Sequence, residues 1–197
     1  MIDLAISCGY DIAGLYHYKE GRTGETDHGY KVLGSFDDLF KEDLQGRKFL
    51  LTMGDNDIRT ELADKIIAKG GEVPSLIHPN TEISRFADIS PVGVYISAFS
   101  EIQADTIVER CTIIRSQVCV CHSCKIGKGC FIAGKVLVGA YTKVEDYVFI
   151  GQGTLSISGK VKTIGTKAYI GARSLLTKDV PPRALMVGNP ARKVRDM

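Results

Sequence analysis

The sequence predicts a parallel β-helix of about five coils preceded by a small α/β unit. Three observations predict it. Every sixth residue from Ile96 to Ile150 is a β-branched aliphatic: Ile96, Ile102, Val108, Ile114, Val120, Ile126, Ile132, Val138, Val144 and Ile150. The residues four places after each are Ser100, Thr106, Thr112, Val118, Cys124, Cys130, Val136, Thr142, Val148 and Thr154, none larger than valine. The residues before Pro79 lack this period and alternate between strand-like and helix-like patterns. A helix repeats its apolar face about every 3.6 residues and a flat strand about every 2. A period of six with one large and one small position fits neither. It fits a solenoid in which each hexapeptide makes a short strand and a turn.

Taken in order, residues 2–8 read as the end of a helix closed by Gly9, and 11–16 as a strand. Residues 17–29 are polar and glycine-containing, so a loop, and 36–44 form a short helix. Residues 47–54 (RKFLLTMG) are apolar on both faces, as in a buried parallel strand. Asp55-Asn56-Asp57 caps a helix running to about Lys69, with Ile58, Leu62, Ile66 and Ile67 as its apolar face and Gly70-Gly71 at its end. Residues 73–78 are the next strand. Residues 1–76 thus read as a small α/β unit with right-handed crossovers. It resembles a truncated Rossmann-like unit, because it starts inside its first helix, without the strand and Gly-rich turn at which phosphate usually binds.

The repeat and its C-terminal tail occupy 77–197. The repeat opens with Ile77, Ile83 and Ile89, with Thr81 and Ala87 in the small positions. Pro91-Val92-Gly93 absorbs one extra residue, and two more enter within 155–162 before the register resumes at Ile164, Ile170 and Leu176. Pro181-Pro182 ends it. Solenoids need covered ends. The α/β unit is expected to cover one and the tail GNPARKVRDM part of the other.

The net charge of +2 gives no electrostatic reason to expect nucleic acid. No apolar run approaches the roughly 18 residues of a membrane span, and the start lacks the basic and apolar regions of a signal peptide, so a cytoplasmic protein without membrane contact is expected. The six cysteines, five of them inside the repeat, read as free thiols of a reducing compartment. The run VCVCHSC invites a zinc site. The repeat assigns Cys124 to the core, however, and the spacing matches no common zinc pattern, so no metal is expected.

Glycine or a small residue often follows the inward aliphatic, as at Gly127, Gly139, Gly151, Gly165 and Gly171. This pattern resembles the left-handed β-helix acyltransferases, and the handedness is taken from that resemblance. LIHPNTEIS, the single His in VCHSCKIG, and TKDVPPRALMVGNPAR are similar to the bacterial nucleotide-sugar acetyltransferases, including UDP-4-amino-sugar N-acetyltransferases and sialic acid O-acetyltransferases. VLGSFDDL and FLLTMGDNDIRTELADKI are similar to that family's N-terminal domain. The resemblance implies acetyl-CoA as co-substrate and a homotrimer with active sites between subunits. It also implies a His general base, here His122. The acidic residue that usually follows that His is Ser123, and a second His nine residues on is Phe131. Tyr16-His17 stand where the family carries acidic residues.

Acyl transfer to an amine or hydroxyl needs a base, donors for an oxyanion and a held thioester. His122 is the one His inside the regular repeat, and imidazole is the side chain that titrates nearest neutrality. Ser123 can orient the ring by a hydrogen bond. By match to the family, backbone amides at Gly139-Ala140, Gly151-Gln152 and Gly171-Ala172 would meet the donor, one of the Gly139-Ala140 pair being the candidate for the thioester carbonyl. The alternative is that these glycines only permit tight turns. Arg173, Lys178, Arg192 and Lys193 would meet CoA phosphates, or else are solvated surface charges. Asp55 and Asn56, at a helix start after a buried strand, would contact the nucleotide, or else simply cap the helix.

The expected function is acetyl-CoA-dependent N-acetylation of a nucleotide-linked amino sugar. The alternatives are O-acetylation of a sugar or sialic acid, and a catalytically impaired trimeric homologue. A γ-type carbonic anhydrase shares the fold, but the four histidines are too scattered to supply three zinc ligands.

Overall fold

The structure, a computed structural model, describes residues 1–197. From Leu76 onward the chain winds as a parallel β-helix whose rungs are two-residue strands. Three sheets form its walls. The first contains Leu76–Ile77, Tyr95–Ile96, Ile113–Ile114, Phe131–Ile132, Phe149–Ile150 and Tyr169–Ile170. The second contains Glu82–Ile83, Glu101–Ile102, Cys119–Val120, Leu137–Val138, Leu155–Ser156 and Leu175–Leu176. The third contains Asp88–Ile89, Ile107–Val108, Lys125–Ile126, Lys143–Val144 and Thr163–Ile164. Residues eighteen apart pair in register, Val120 with Ile102 and with Val138, for example.

The inward ladder is as expected. All ten aliphatics from Ile96 to Ile150 are at most 1% exposed, and the ten small positions after them at most 3%. The small positions do more than fill space. Ser100, Thr106, Thr112 and Thr142 donate their hydroxyls to main-chain carbonyls of the next coil at 2.8–2.9 Å. The thiols of Cys124 and Cys130 do the same, to Gly139 O at 3.2 Å and Glu145 O at 3.1 Å. The turns have their own period. Three residues after each inward aliphatic the backbone is left-handed, as at Asp105, Ser123, Tyr141 and Arg173, with φ of 56–63°.

The N-terminal segment differs from the expected parallel α/β unit. Its sheet has three strands in the order β1 (Leu15–His17), β3 (Tyr30–Ser35), β2 (Thr26–Asp27), and only β1 and β3 run parallel. The central strand, β3, lies where the sequence offers no clear alternation. Residues 11–14 and 49–54 form no strand; around 47–54 the pairing is limited to a bridge between Lys48 and Glu72, with Phe49 N donating to Glu72 O at 2.8 Å. The expected strand 73–78 shortens to Leu76–Ile77, which is the first rung of the β-helix. A strand needs a neighbour, and β3 has taken the position that 47–54 was expected to fill. Helix α1 (Ile2–Ser7) ends at Gly9 as expected, and the helix expected at 36–44 shortens to α2 (Phe36–Leu39), capped by Ser35.

Helix α3 (Asn56–Ala68) starts and stops where expected and buries Leu62 and Ile66 as expected, but its buried face is shifted from the expected one. Arg59, Thr60, Leu62, Ala63 and Ile66 are buried, whereas Ile58 and Ile67 are 48% and 41% exposed. The helix is rotated because Arg59 points into the junction with the β-helix. Around it a second core joins Leu4, Leu44, Leu51, Leu62 and Ile66 to the outward side chains of the first sheet, Leu76, Tyr95 and Ile113. The next three outward positions on that sheet, Phe131, which packs against this core, Phe149 and Tyr169, stack on one another, with ring centres 5.4 and 4.4 Å apart.

The tail forms a hairpin of Ala184–Gly188 and Ala191–Asp196 that continues the first sheet alongside Tyr169–Ile170. It buries Ala184, Met186 and Ala191 against the last coil, as its covering role requires. No helix is long and apolar enough to cross a membrane.

Candidate active site

The β-helix has three edges, and the candidate residues divide among them. His122 and Ser123 turn the corner between the second and third sheets, directly after Cys119–Val120. Gly139-Ala140 occupy the same corner one coil on, residues 157–162 the next, and Lys178 the one after. Gly151-Gln152 and Gly171-Ala172-Arg173 lie on the edge between the first and second sheets. Asp55 and Asn56 begin α3 against the third edge, beside Gly129 and Tyr147. Within one chain these groups do not converge.

At the first of these corners, His122 Nδ1 is 3.3 Å from Ser123 Oγ. The left-handed backbone of Ser123, φ 57°, turns its side chain back to the ring. Tyr141, one coil on, meets the imidazole edge to face with ring centres 5.0 Å apart. The main chain of His122 is held at both ends. Its N–H donates to Gln103 Oε1 at 3.0 Å, and its carbonyl accepts from Tyr141 N at 3.3 Å. Gln103 in turn donates to Glu101 Oε1 at 2.9 Å. The other Glu101 oxygen accepts from the Cys119 thiol at 3.5 Å, and burial pushes that thiol up to about 12, so it stays protonated at neutral pH. The imidazole therefore has a hydroxyl and an aromatic edge as partners, and no carboxylate.

The Gly139-Ala140 amides were expected to be free for a thioester carbonyl, and they are not. Gly139 N donates to Ser156 Oγ at 2.8 Å and Ala140 N to Ser158 Oγ at 3.0 Å. The two-residue insertion after Ser156 widens this corner, and Ser158 reaches back from it to Ala140. Gly139 is glycine because coils approach closely here: a Cβ would lie 2.6 Å from Ser156 O and from Ser158 N.

On the edge between the first and second sheets, Gln152, Ala172 and Arg173 line a groove of about 490 Å³ with Ser116, Gln117, Lys135 and Gly153. A second groove of about 350 Å³ shares Gln152 and Ala172 and is walled by Phe131, Phe149 and Tyr169. The two together combine cations with an aromatic wall. Gly151 lies under the next coil, where a Cβ would meet Ala172 N at 2.6 Å. Its amide donates to Ile170 O at 2.8 Å, and Gly171's to Met186 O at 2.8 Å. Both amides are thus rungs of the sheet, and neither glycine has a positive φ, so what requires glycine here is the close approach of the next coil.

Asp55 and Asn56 are also committed. Asp55 caps α3, accepting from Ile58 N at 2.9 Å. Asn56 Nδ2 donates to Tyr147 O at 3.2 Å, and its Oδ1 accepts from Arg59 at 2.8 Å. The Asn56 side chain thus joins the N-terminal segment to the β-helix, and that of Asp55 caps its own helix. Tyr16 donates to Glu42 at 2.7 Å and receives Arg47 at 3.3 Å, and His17 stacks on Tyr18. Lys178 is exposed, and Lys193 pairs with Asp196 in the terminal hairpin.

No group of three or more His, Cys, Asp or Glu side chains is placed to hold a metal ion. Cys124 and Cys130, whose thiols burial raises to about 11 and about 12, are bonded into the coil. Tyr141, Ser156 and Ser158 escaped the sequence reading. Counting by eighteens, one full coil, would have set Ala140 after His122 and Ser158 after Ala140, whereas the hexapeptide period conceals those columns.

No family model matches the chain. UDP-3-O-acylglucosamine N-acyltransferase of Methylobacterium sp. strain 4-46 is 40% identical over 92 residues, 47% of this chain. The chain spans about a quarter of the length of that relative, 26%. GDP-perosamine N-acetyltransferase of Escherichia coli O157:H7 is 28% identical over 95% of this chain and 85% of its own. The crystal structure of PerB from Caulobacter crescentus in complex with CoA and GDP-perosamine superposes with a TM-score of 0.90 at 26% identity, over 98% of this chain and 90% of that one.

Proposed function

We propose that this chain, which belongs with these hexapeptide-repeat acyltransferases, transfers the acetyl group of acetyl-CoA to the amine of a nucleotide-linked amino sugar. The observation that carries the proposal is the His122 corner: an imidazole held by Ser123 and Tyr141, on a main chain held by Gln103, in a fold whose neighbour binds CoA and GDP-perosamine together. His122 takes a proton from the attacking amine, whose nitrogen forms the new bond to the acetyl carbon. The carbon–sulfur bond breaks, and the proton held on the imidazole passes to the leaving thiolate of CoA. Ser123 orients the ring without the charge a carboxylate would add. That suits an amine, which needs only its ammonium form deprotonated, better than a sugar hydroxyl.

CoA is assigned to the groove of Gln152, Ala172, Lys135 and Arg173, where two cations suit phosphates and the aromatic wall suits an apolar arm. That groove and His122 lie on different edges of one chain. A complete site therefore needs two copies, which supports a homotrimer with each active site shared between neighbours. The nucleotide is assigned to the N-terminal segment of residues 1–76, and the protein to the cytoplasm.

The test is acetyl transfer from acetyl-CoA to a panel of nucleotide-linked amino sugars, beside hydroxyl acceptors, by wild type and His122→Ala. Transfer to amines that falls at least a hundredfold in the variant supports the proposal. Undiminished turnover in His122→Ala removes the imidazole from the mechanism, and transfer only to hydroxyls removes the amine.

A further inference from the structure

We infer that the hydroxyl of Ser158, in place of a backbone amide, donates the hydrogen bond that holds the thioester carbonyl and its developing oxyanion. The inference rests on the acetyl-transfer reading proposed above and names a residue that the motif does not contain.

The argument is an accounting of donors along the His122 edge. A thioester carbonyl attacked beside His122 needs an N–H or O–H within reach. The backbone N–H groups of His122 and of the corner one coil on are already used. His122 N goes to Gln103, Gly139 N to Ser156 Oγ, Ala140 N to Ser158 Oγ, and Tyr141 N to His122 O. The donors that remain are the Ser158 and Gly159 N–H groups, which lack the polarisation of the Ser158 hydroxyl and which Ser158→Ala leaves in place, and the hydroxyls. Ser156 is 2% exposed and faces the coil. Ser123 is turned to the imidazole it orients. Ser158 is exposed, stands at the same corner, and donates to nothing in the chain.

Its hydroxyl is also the one best prepared. The oxygen accepts the Ala140 N–H, which polarises the O–H and makes it a stronger donor, as in any chain of hydrogen bonds. The two-residue insertion after Ser156 is what makes this geometry possible, since elsewhere in the regular coils four residues separate successive rungs. The amide thus still acts on the carbonyl, with the serine oxygen between them. The step needs no other group: as the amine attacks, negative charge builds on the carbonyl oxygen, Ser158 shares its proton without releasing it, and the charge returns as the carbon–sulfur bond breaks.

The remaining rival is the Tyr141 hydroxyl, also exposed on this edge. The test therefore compares Ser158→Ala, Ser158→Thr and Tyr141→Phe in the full-length chain with two readouts. One is kcat and KM for acetyl transfer, and the other is the isotope-edited infrared stretch of the carbonyl in bound acetyl-CoA. We expect Ser158→Ala to lower kcat about tenfold or more with KM for acetyl-CoA within about twofold, and to move the stretch to higher frequency. Ser158→Thr, which keeps the hydroxyl, should restore most of both. An unchanged stretch and kcat in Ser158→Ala, or a loss that appears in Tyr141→Phe instead, overturns the inference while leaving acetyl transfer standing. A stretch that depends on Ser158 in a protein that acetylates no amino sugar supports it and rejects the acceptor. Failure of acetyl-CoA to bind overturns both.

Discussion

Tyr141 meets His122 edge to face, one coil further along the same edge, with ring centres 5.0 Å apart. The contact fixes a ring that has only a serine hydroxyl as its other side-chain partner. An edge-to-face pair contributes about 0.5–1.5 kcal/mol beyond area burial. Tyr141→Ala should therefore lower kcat about three- to tenfold through a less well placed imidazole, with Tm almost unchanged because Tyr141 is exposed. Tyr141→Leu, which fills space without an aromatic edge, should resemble Ala. Steady-state kinetics beside a thermal melt separates this orientation effect from a loss of folding.

Arg59 is fully buried with no carboxylate beside it. Its guanidinium donates to the carbonyls of Cys111, Gly129, Cys130 and Met53 at 3.0–3.1 Å and to Asn56 Oδ1 at 2.8 Å. Burial lowers its pKa, but arginine keeps its proton at any ordinary pH. Arg59→Met should cost on the order of 3 kcal/mol, because it strands carbonyls on both sides of the junction. For a chain of this size that is a fall in Tm of about 6–12 °C. Arg59→Lys should recover only part of it, since one ammonium cannot reach all five acceptors. A melt unchanged in Arg59→Met would show that the other contacts of the junction, apolar and polar, hold the N-terminal segment to the β-helix without the guanidinium.

Gly151 tests whether the corner glycines serve the coil or the ligand. A Cβ there would lie 2.6 Å from Ala172 N and 2.7 Å from Ile170 O. Gly151→Ala should cost about 1–3 kcal/mol by overpacking, with or without CoA present. Gly21, with nothing within 4 Å of its added Cβ, is the control and should tolerate alanine within about 0.5 kcal/mol. Equal melts for the two variants would mean that the coils separate easily.

Asp38 sets part of the acid limb of stability. The Ser35 N–H first, then Lys41 and the Ser35 hydroxyl, hold its carboxyl at about 2, below its ordinary 3.8. A carboxyl with a lowered folded pKa stabilises the fold above its unfolded pKa, and that contribution disappears as pH falls through the folded value. The loss should run from about pH 4 down to about pH 2. Asp38→Asn should flatten stability over that window, while leaving the shape of the curve above about pH 5 unchanged. Chemical denaturation at a series of pH values measures it. A wild-type acid limb retained in full by the variant would assign the limb to other groups.

The β-helix was legible because its rule is local. An inward side chain every six residues is a property of consecutive positions, and a coil cannot close without it, so Ile96 to Ile150 reveal the fold unaided. Helix α3 was legible at its ends for the same reason: Asp55 and Gly70 act on their immediate neighbours. Its buried face was not, because Arg59 is drawn inward by carbonyls 52, 70 and 71 residues away. Strand β3 was missed for want of a partner visible in its own residues. At the candidate site, sequence marked His122, while the structure supplied what surrounds it. Tyr141 and Ser158 reach that corner through coil closure, one turn of eighteen residues at a time. The Gly139 and Ala140 amides are occupied because an insertion brings two serines against them. The sequence by itself determined the repeat and its one irregular histidine. The tertiary structure decided which edge each candidate stands on and which donors are already taken, because hydrogen bonds between coils join residues that are distant along the chain.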